Sequence, residues 1–218
     1  MKGEKSIMWI KICGITSLEA AKACAEAGVD AVGFVFAESR RKITVEEAGN
    51  IIERLPRGLK KVGVFVNESE QKVSWIQNYL GLDLLQFHGA EGPSYCSRFS
   101  GKAIKAFSAD PERGFSDIKA YRGKIMACLI DSYLPGQLGG TGVTWDWKSF
   151  KPFQAGVIPC WLIAAGGLNP GNVYEALQSI RPEGVDVSSG VEKEGEKDIN
   201  LIKQFVNEVR RWEANGIT

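Results

Sequence analysis

Short, continuously apolar runs recur along this chain and alternate with amphipathic segments, about every two to three dozen residues. The runs are rich in Val, Ile and Phe, which is typical of strands buried on both faces. Eight of them predict strands, over residues 9–13, 31–36, 61–66, 82–87, 103–107, 126–131, 160–164 and 184–187.

The segments between these runs have apolar residues at helical spacing, and several end at glycine or before proline. We expect Asn169 and Asp198 to cap the last two helices, with Pro170 in the first helical position. The expected helices cover 18–27, 45–55, 70–80, 170–180 and 199–212, with weaker patterns over 92–99, 111–121 and 147–153.

Strands that alternate with helices predict a parallel sheet in the α/β class. Eight such units in 218 residues leave no room for a second domain. The pattern therefore favours a single (β/α)8 barrel, or TIM barrel, over residues 1–218. The alternative is an open flavodoxin-like sheet, which normally has fewer units.

Charge and cysteine content exclude several classes of function. The formal net charge is only +1, so no general attraction to nucleic acid or to an anionic membrane is expected. The five cysteines are odd in number, widely spaced and lack a CxxC pair, which argues against disulfides and zinc. With no secretory-type apolar segment at the N-terminus and no run of membrane-spanning length, the expected location is the cytoplasm.

The carboxyl ends of barrel strands normally carry the active site. Cys13 ends the first predicted strand, where a thiol can transfer protons, although a free cysteine is more often a small buried hydrophobe. Asp131 ends the sixth strand and is either a turn cap or a general acid. The glycine-bearing loop that follows it, which includes Gly142, is long for such a connection and is typical of a substrate-covering loop.

Two glycine-bearing turns follow the seventh and eighth predicted strands. Small residues there let backbone N–H groups approach an anion, and this part of a barrel is the usual phosphate site. The alternative is two tight turns without a ligand. The pattern favours a phosphorylated small-molecule substrate, with these candidate binding residues: Gly166, Gly167, Asp186, Ser188, Ser189 and Gly190.

Two further strand ends carry polar side chains. Arg40 and Arg41 follow the second strand, where one could clamp a carboxylate, although paired arginines more often form a solvated surface. His88, the single histidine, follows the fourth strand as either a substrate hydrogen-bond donor or a supporting group. One histidine cannot supply a histidine-based metal site, and no P-loop or GxGxxG motif supports nucleotide chemistry.

The segment Lys11-Ile12-Cys13-Gly14-Ile15-Thr16 resembles the N-terminal signature of the phosphoribosylanthranilate isomerase family of tryptophan biosynthesis. The resemblance continues in order over nearly the whole chain, through residues 32–36, 62–67, 85–89, 129–131, 139–142, 165–170 and 185–192. It implies an Amadori rearrangement of N-(5-phosphoribosyl)anthranilate to the 1-deoxyribulose 5-phosphate isomer, without a metal or organic cofactor.

Cys13 matches the general base of that family, Asp131 its general acid, and Arg41 the arginine facing the anthranilate carboxylate. The loop before Arg41 is one residue shorter than the common form, which leaves Arg40 as the other candidate. A monomer or a homodimer is expected. The alternatives are a non-catalytic phosphosugar-binding barrel, which need not keep both Cys13 and Asp131, and a different phosphosugar enzyme such as an epimerase or the histidine-pathway isomerase.

Overall fold

The structure is a computed structural model that describes residues 7–109, 116–132 and 160–215. Eight parallel strands form a closed barrel in which β1 pairs with both β2 and β8. The barrel prediction is therefore confirmed, and the open sheet is excluded because its first and last strands would not pair. The strands are β1 Trp9–Cys13, β2 Ala31–Val35, β3 Lys60–Phe65, β4 Leu84–Phe87, β5 Ala103–Ser108, β6 Ala127–Asp131, β7 Trp161–Ala164 and β8 Gly184–Val187.

Helices follow most strands and pack on the outside of the barrel. They are α1 Leu18–Glu26, α2 Val45–Ile52, α3 Glu70–Leu80, α4 Pro93–Ser97, α5 Val173–Ile180 and α6 Ile199–Asn215. A 3₁₀ helix over Ser116–Tyr121 follows β5. The helix predicted over 147–153 lies outside the described residues. No helix among the residues described has the length and apolar character needed to cross a membrane.

Capping explains where these helices begin. The Ser17 side chain accepts a hydrogen bond from the backbone of Ala20, and Asp198 does the same for Leu201 at the start of α6. The predicted start of α5 at Pro170 is wrong. The side chains of Asn169 and Asn172 instead bind backbone groups of the preceding turn, and α5 begins only at Val173.

Side chains alternate between the inside and the outside of the barrel along each strand. The inward apolar cluster consists mainly of small and branched residues: Ala31, Val62, Ile104, Ala106, Ala127, Leu129, Ile163 and Ala165. Above this layer the interior becomes polar, because Lys11, Gln86 and Asp186 are buried there. The barrel therefore has an apolar base and a polar middle directly below the carboxyl ends of its strands.

An extra hairpin follows β8 and was not predicted from the sequence. After a 3₁₀ turn over Ser189–Val191, the two-residue strands β9 Glu192–Lys193 and β10 Glu196–Lys197 pair antiparallel. The hairpin places Glu192 and Lys197 at the rim beside the ends of β8 and β1, where they contact predicted site residues.

Candidate active site

Cys13 lies at the carboxyl end of β1, on the same inward face as Lys11. Gly33 of β2 is opposite Cys13 in the sheet. A β-carbon on Gly33 would come 2.9 Å from the Cys13 sulfur and 3.1 Å from Cε of Lys11. The absent side chain therefore leaves the space in which the thiol and the lysine side chain lie together.

Lys11 is fully buried, and its Nζ atom lies 2.8 Å from Oδ1 of Asp186, its partner in the β1–β8 pairing. Cys13 lies two residues farther along β1 and faces the same way, so the charge of Lys11 acts on its thiol. Burial opposes the charge on Lys11, but Asp186 and Cys13 outweigh it and hold the Lys11 pKa above its usual value. Burial raises the pKa of Cys13, against the opposing effects of Lys11 and Lys197.

Asp131 ends β6 at the same end of the barrel, three strand positions from Cys13 around the closed sheet. Its Oδ2 atom lies 3.2 Å from Nε2 of His88, and its Oδ1 atom accepts a hydrogen bond of 2.7 Å from the backbone of Ser132. Both carboxylate oxygens are therefore held in place by the residues that directly follow β4 and β6.

His88 follows β4 and is oriented from below by Gln86. Its Nδ1 atom lies 3.0 Å from the Gln86 side-chain nitrogen, an amide that donates. The Nδ1 atom then accepts, the ring proton lies on Nε2, and Nε2 donates to Asp131; this tautomer is assigned from the hydrogen-bond network. Oε1 of Gln86 is buried and has no partner among the described residues.

Gly166 lets the chain after β7 pass close to Asp131. Its φ is +83°, in the left-handed region that favours glycine. A β-carbon there would come 2.2 Å from the backbone nitrogen of Ser132 and 2.9 Å from Oδ1 of Asp131. Glycine is therefore required by the closeness of β6 and β7 at the site.

Arg41 lies over Gly14, next to Cys13, and its guanidinium clamps Glu192. Its Nε atom donates to Oε1 at 2.6 Å and its Nη2 atom to Oε2 at 2.9 Å. A β-carbon on Gly14 would come 2.3 Å from Cδ of Arg41. Arg40 also reaches Glu192, at 3.0 Å, but 58% of its side chain is exposed, against 12% for Arg41. Arg41 is therefore the arginine at the site, and Arg40 lies on its outer rim.

Lys197 joins the Glu192 cluster to the end of β8. Its buried ammonium donates to Oε1 of Glu192 at 2.6 Å and to the backbone oxygen of Ser188 at 3.0 Å. The Ser188 hydroxyl in turn donates to the backbone oxygen of Cys13 at 2.9 Å. Burial would raise the pKa of Glu192, but the hydrogen bonds from Arg41 and Lys197 outweigh it and lower the pKa to about 2.

The two glycine turns predicted to bind phosphate lie against each other. A β-carbon on Gly190 would come 1.8 Å from the backbone oxygen of Leu168, so the turn after β8 touches the turn after β7. Gly167 has a φ of +67°, and Ser189 begins the 3₁₀ turn beside it. The turns thus form one continuous backbone surface at the rim. Gly142 and most of the predicted covering loop lie outside the described residues.

A cavity of about 680 Å³ lies at the opposite end of the barrel. Its lining includes the first residues of several strands, such as Trp9, Lys60, Leu84 and Trp161. None of the predicted site residues lines it, and it is separated from them by the apolar base of the barrel.

Four residues of the site were given no role by the sequence reasoning: Lys11, Gln86, Glu192 and Lys197. Lys11 and Gln86 carried a signal, because a polar side chain inside an apolar strand run must find a partner when it is buried. Glu192 and Lys197 gave none, because charged residues in a polar segment are usually solvated. Asp186, predicted to bind substrate, is paired with Lys11 one layer below the rim.

Comparison with known proteins gives a consistent result. Residues 10–208 match the model of the family described as N-(5'phosphoribosyl)anthranilate (PRA) isomerase. A relative named N-(5'-phosphoribosyl)anthranilate isomerase, from Desulforudis audaxviator, is 44% identical over 201 residues, which cover 92% of this chain and 97% of the relative.

Two solved structures are similar along nearly the whole chain. One is a phosphoribosyl anthranilate isomerase in complex with reduced 1-(o-carboxyphenylamino)-1-deoxyribulose 5-phosphate, with a TM-score of 0.82, 38% identity and coverage of 94% of this chain and 99% of that one. The other shows monomers of the dimeric enzyme from Thermotoga maritima, with a TM-score of 0.81, 37% identity and the same coverage.

Proposed function

The chain belongs to the N-(5'-phosphoribosyl)anthranilate isomerase family, and we propose that Cys13 and Asp131 are the base and the acid of the isomerisation that it catalyses in tryptophan biosynthesis. The observation that supports this most is the pair of ionisable side chains that face inward at the same end of the barrel. The reaction is an Amadori rearrangement, which needs one group to donate a proton and another to remove one.

In the first step, protonated Asp131 donates its proton to the ribose ring oxygen. The C1′–O4′ bond breaks and the nitrogen lone pair forms the C1′=N double bond of a Schiff base. The Cys13 thiolate then removes the proton from C2′, the electron pair of that C–H bond forms the C1′–C2′ double bond of an enolamine, and the C1′=N pair returns to nitrogen. Tautomerisation adds a proton at C1′, and the C2′ hydroxyl loses its proton to give the ketone. Each proton-transfer group contributes about 10²–10⁴-fold in rate.

His88 acts on this reaction through Asp131. Its ring lies 3.2 Å from the carboxylate on one side and is held by Gln86 on the other. A side chain so constrained orients the acid towards the ring oxygen, and such positioning carries a large share of the rate. Of the two roles predicted for His88, the supporting role is therefore favoured.

The substrate is held at both ends. Its phosphate binds at the adjoining turns, to backbone N–H groups of Gly166, Gly167, Ser189 and Gly190. Ser188 holds the second turn in place through its hydroxyl, which binds the backbone oxygen of Cys13, and Gly142 completes the site from the covering loop. Glycine turns that touch each other support such a site, because small residues let an anion approach the backbone.

At the other end, Arg41 binds the anthranilate carboxylate. Two of its three guanidinium nitrogens bind Glu192, and among the described residues none binds Nη1. Glu192 thus fixes the plane of the guanidinium while one nitrogen stays available for the substrate. Asp186 contributes to the active site through its ion pair with Lys11, which shares the inward face of β1 with Cys13.

Three further expectations belong to the proposal. Residues 1–218 form one domain, because the barrel strands span most of the chain and α6 packs on both α1 and α5. The protein acts in the cytoplasm on a phosphorylated small molecule. Its expected state is a monomer or a homodimer, and the dimeric relative from Thermotoga maritima makes sedimentation of the purified protein a useful check.

A fluorescence assay that follows the loss of phosphoribosylanthranilate, generated in situ, tests the assignment. Cys13→Ser and Asp131→Asn should each abolish turnover while the fold is retained. The matched controls are Cys160→Ser and Asp83→Asn, at the opposite end of the barrel, where Asp83 only pairs with Lys60 and Lys61. Near-native turnover of either site variant would overturn its assigned role.

A further inference from the structure

A buried ion pair lies directly beneath the proposed base. The side chains of Lys11 and Asp186 meet at 2.8 Å inside the barrel, and Lys11 shares the inward face of β1 with Cys13. A β-carbon on Gly33 would lie 2.9 Å from the Cys13 sulfur and 3.1 Å from Cε of Lys11, so both atoms border the space left by the absent side chain. The side chain of one lysine therefore lies close to two acidic groups, the Asp186 carboxylate and the Cys13 thiol.

Burying an ion pair costs several kcal/mol of hydration per ion, and the mutual attraction of the two charges does not always offset this cost. Apolar residues could fill the same layer, as they do directly below it. Lys11 is fully buried and Asp186 nearly so, which places the ion pair inside the barrel. Its position against the thiol is the feature that distinguishes it from a structural pair.

We propose that Lys11 is the cation that stabilises the thiolate form of Cys13 against the effect of burial, and that Asp186 limits how far it does so by sharing the same ammonium. The proposal rests on the proposed function, in which Cys13 removes the C2′ proton. The thiol proton passes to water before the substrate binds, and the thiolate then takes up the proton from carbon.

The charges that face Cys13 support this assignment. Three of these charges are cations: Lys11 on β1, Arg41 in the loop after β2, and Lys197 on β10. From β8 and β9 come two carboxylates, Asp186 and Glu192, and the exposed Arg40 stands farther out. Among the described residues, a thiolate therefore balances the inner cluster, whereas a neutral thiol leaves it with an excess positive charge.

Lys11 has the largest of the charge effects on Cys13, and that of Asp186 has the opposite sign. Removing the lysine should therefore raise the pKa of the thiol, whereas removing the aspartate should lower it. A pair whose only role is to hold β1 against β8 gives no such opposite responses, because losing either member breaks the same contact.

The test is a titration of the Cys13 thiolate by its absorbance near 240 nm, as the difference between each protein and the same protein with Cys13→Ser. We expect Lys11→Met to raise the thiol pKa by about 1–3 units and Asp186→Asn to lower it. The double variant should lie between Lys11→Met and the unchanged protein, and it leaves no lone buried charge if Lys11→Met fails to fold.

Lys105→Met is the matched control, because Lys105 is an equally buried lysine that pairs with Glu91 on another side of the barrel. The Cys13 pKa should not change in it. Shifts of the same sign in Lys11→Met and Asp186→Asn, or no shift in either, would overturn the proposal. The titration needs no turnover, so an active Cys13→Ser variant would refute the proposed function without affecting this result.

Discussion

Nε2 of His88 lies 3.2 Å from Oδ2 of Asp131, which links the end of β4 to the end of β6 across the barrel mouth. β5 lies between these strands and contributes no side chain to the contact. The histidine is the only one in the chain, and its other nitrogen is already bound by Gln86. Asp131 is thus held by a side chain from another part of the barrel. A residue that only caps a turn needs no such partner.

Replacing His88 should therefore damage the chemistry more than the binding. In His88→Ala the Asp131 carboxyl loses its cross-strand partner, and we expect kcat to fall by about 100-fold, the usual cost of misplacing a reacting group by about 1 Å. Steady-state kinetics with separate kcat and KM values check this. A variant with a raised KM and unchanged kcat would instead make His88 a substrate ligand.

The two arginines of the β2 loop should differ sharply. Arg41→Ala removes a largely buried guanidinium next to Cys13 and should weaken binding of the carboxylated substrate by about 10- to 100-fold, as expected for a lost charge-assisted hydrogen bond. Arg40→Ala removes an exposed group and should change KM less than twofold or so. The opposite order of KM values would assign the contact to Arg40.

Gly166 should be intolerant of a side chain for a reason specific to Asp131. Gly166→Ala strains a φ of +83° and also places a β-carbon 2.9 Å from Oδ1 of that residue. Gly101→Ala strains a similar φ of +84° but contacts nothing within 4 Å. Gly101→Ala should lose about 1–3 kcal/mol of stability in urea unfolding. Gly166→Ala should lose more, because its β-carbon also meets the Ser132 backbone nitrogen at 2.2 Å, and only this variant should also lose turnover. Equal turnover in the two variants would contradict this role.

Glu192 should make stability depend on pH in the acid range. Its pKa is lowered to about 2 in the folded protein from the usual value of 4.5, so the stabilisation is complete above about pH 4.5. It is lost as the pH falls from there towards 2. Urea unfolding of Glu192→Gln at several pH values should show a smaller loss of stability over this range than the unchanged protein. Parallel curves for the two proteins would refute the assignment.

The sequence predicted the barrel because its strands are buried on both faces and are therefore continuously apolar. β1 and β8 have the predicted bounds, and the other strands differ by one or two residues at their ends. The start of α5 was missed because the Asn169 side chain, which was expected to cap the helix, instead accepts a hydrogen bond from Gly171, and the Asn172 side chain accepts one from the backbone of Asn169. Such competition is decided by local geometry that composition does not reveal.

The candidate site was predicted only where a polar or glycine residue interrupts an apolar pattern at a strand end. Cys13, His88 and Asp131 were found in this way, and their catalytic roles stay predictions. The partnership of Lys11 with Asp186 was not found, since it joins residues 175 positions apart and depends on closure of the barrel between β1 and β8. Glu192 and Lys197 depend on a hairpin too short to leave a pattern.

The central claim is that one sulfur and one carboxyl act on the same sugar. A crystal structure of this protein with the reduced product analogue, the ligand present in a related structure, tests it most directly. We predict Cys13 Sγ within about 4 Å of C2′ and an Asp131 oxygen within about 2.6–3.2 Å of the former ring oxygen. A bound analogue whose sugar lies out of reach of either side chain would contradict the account.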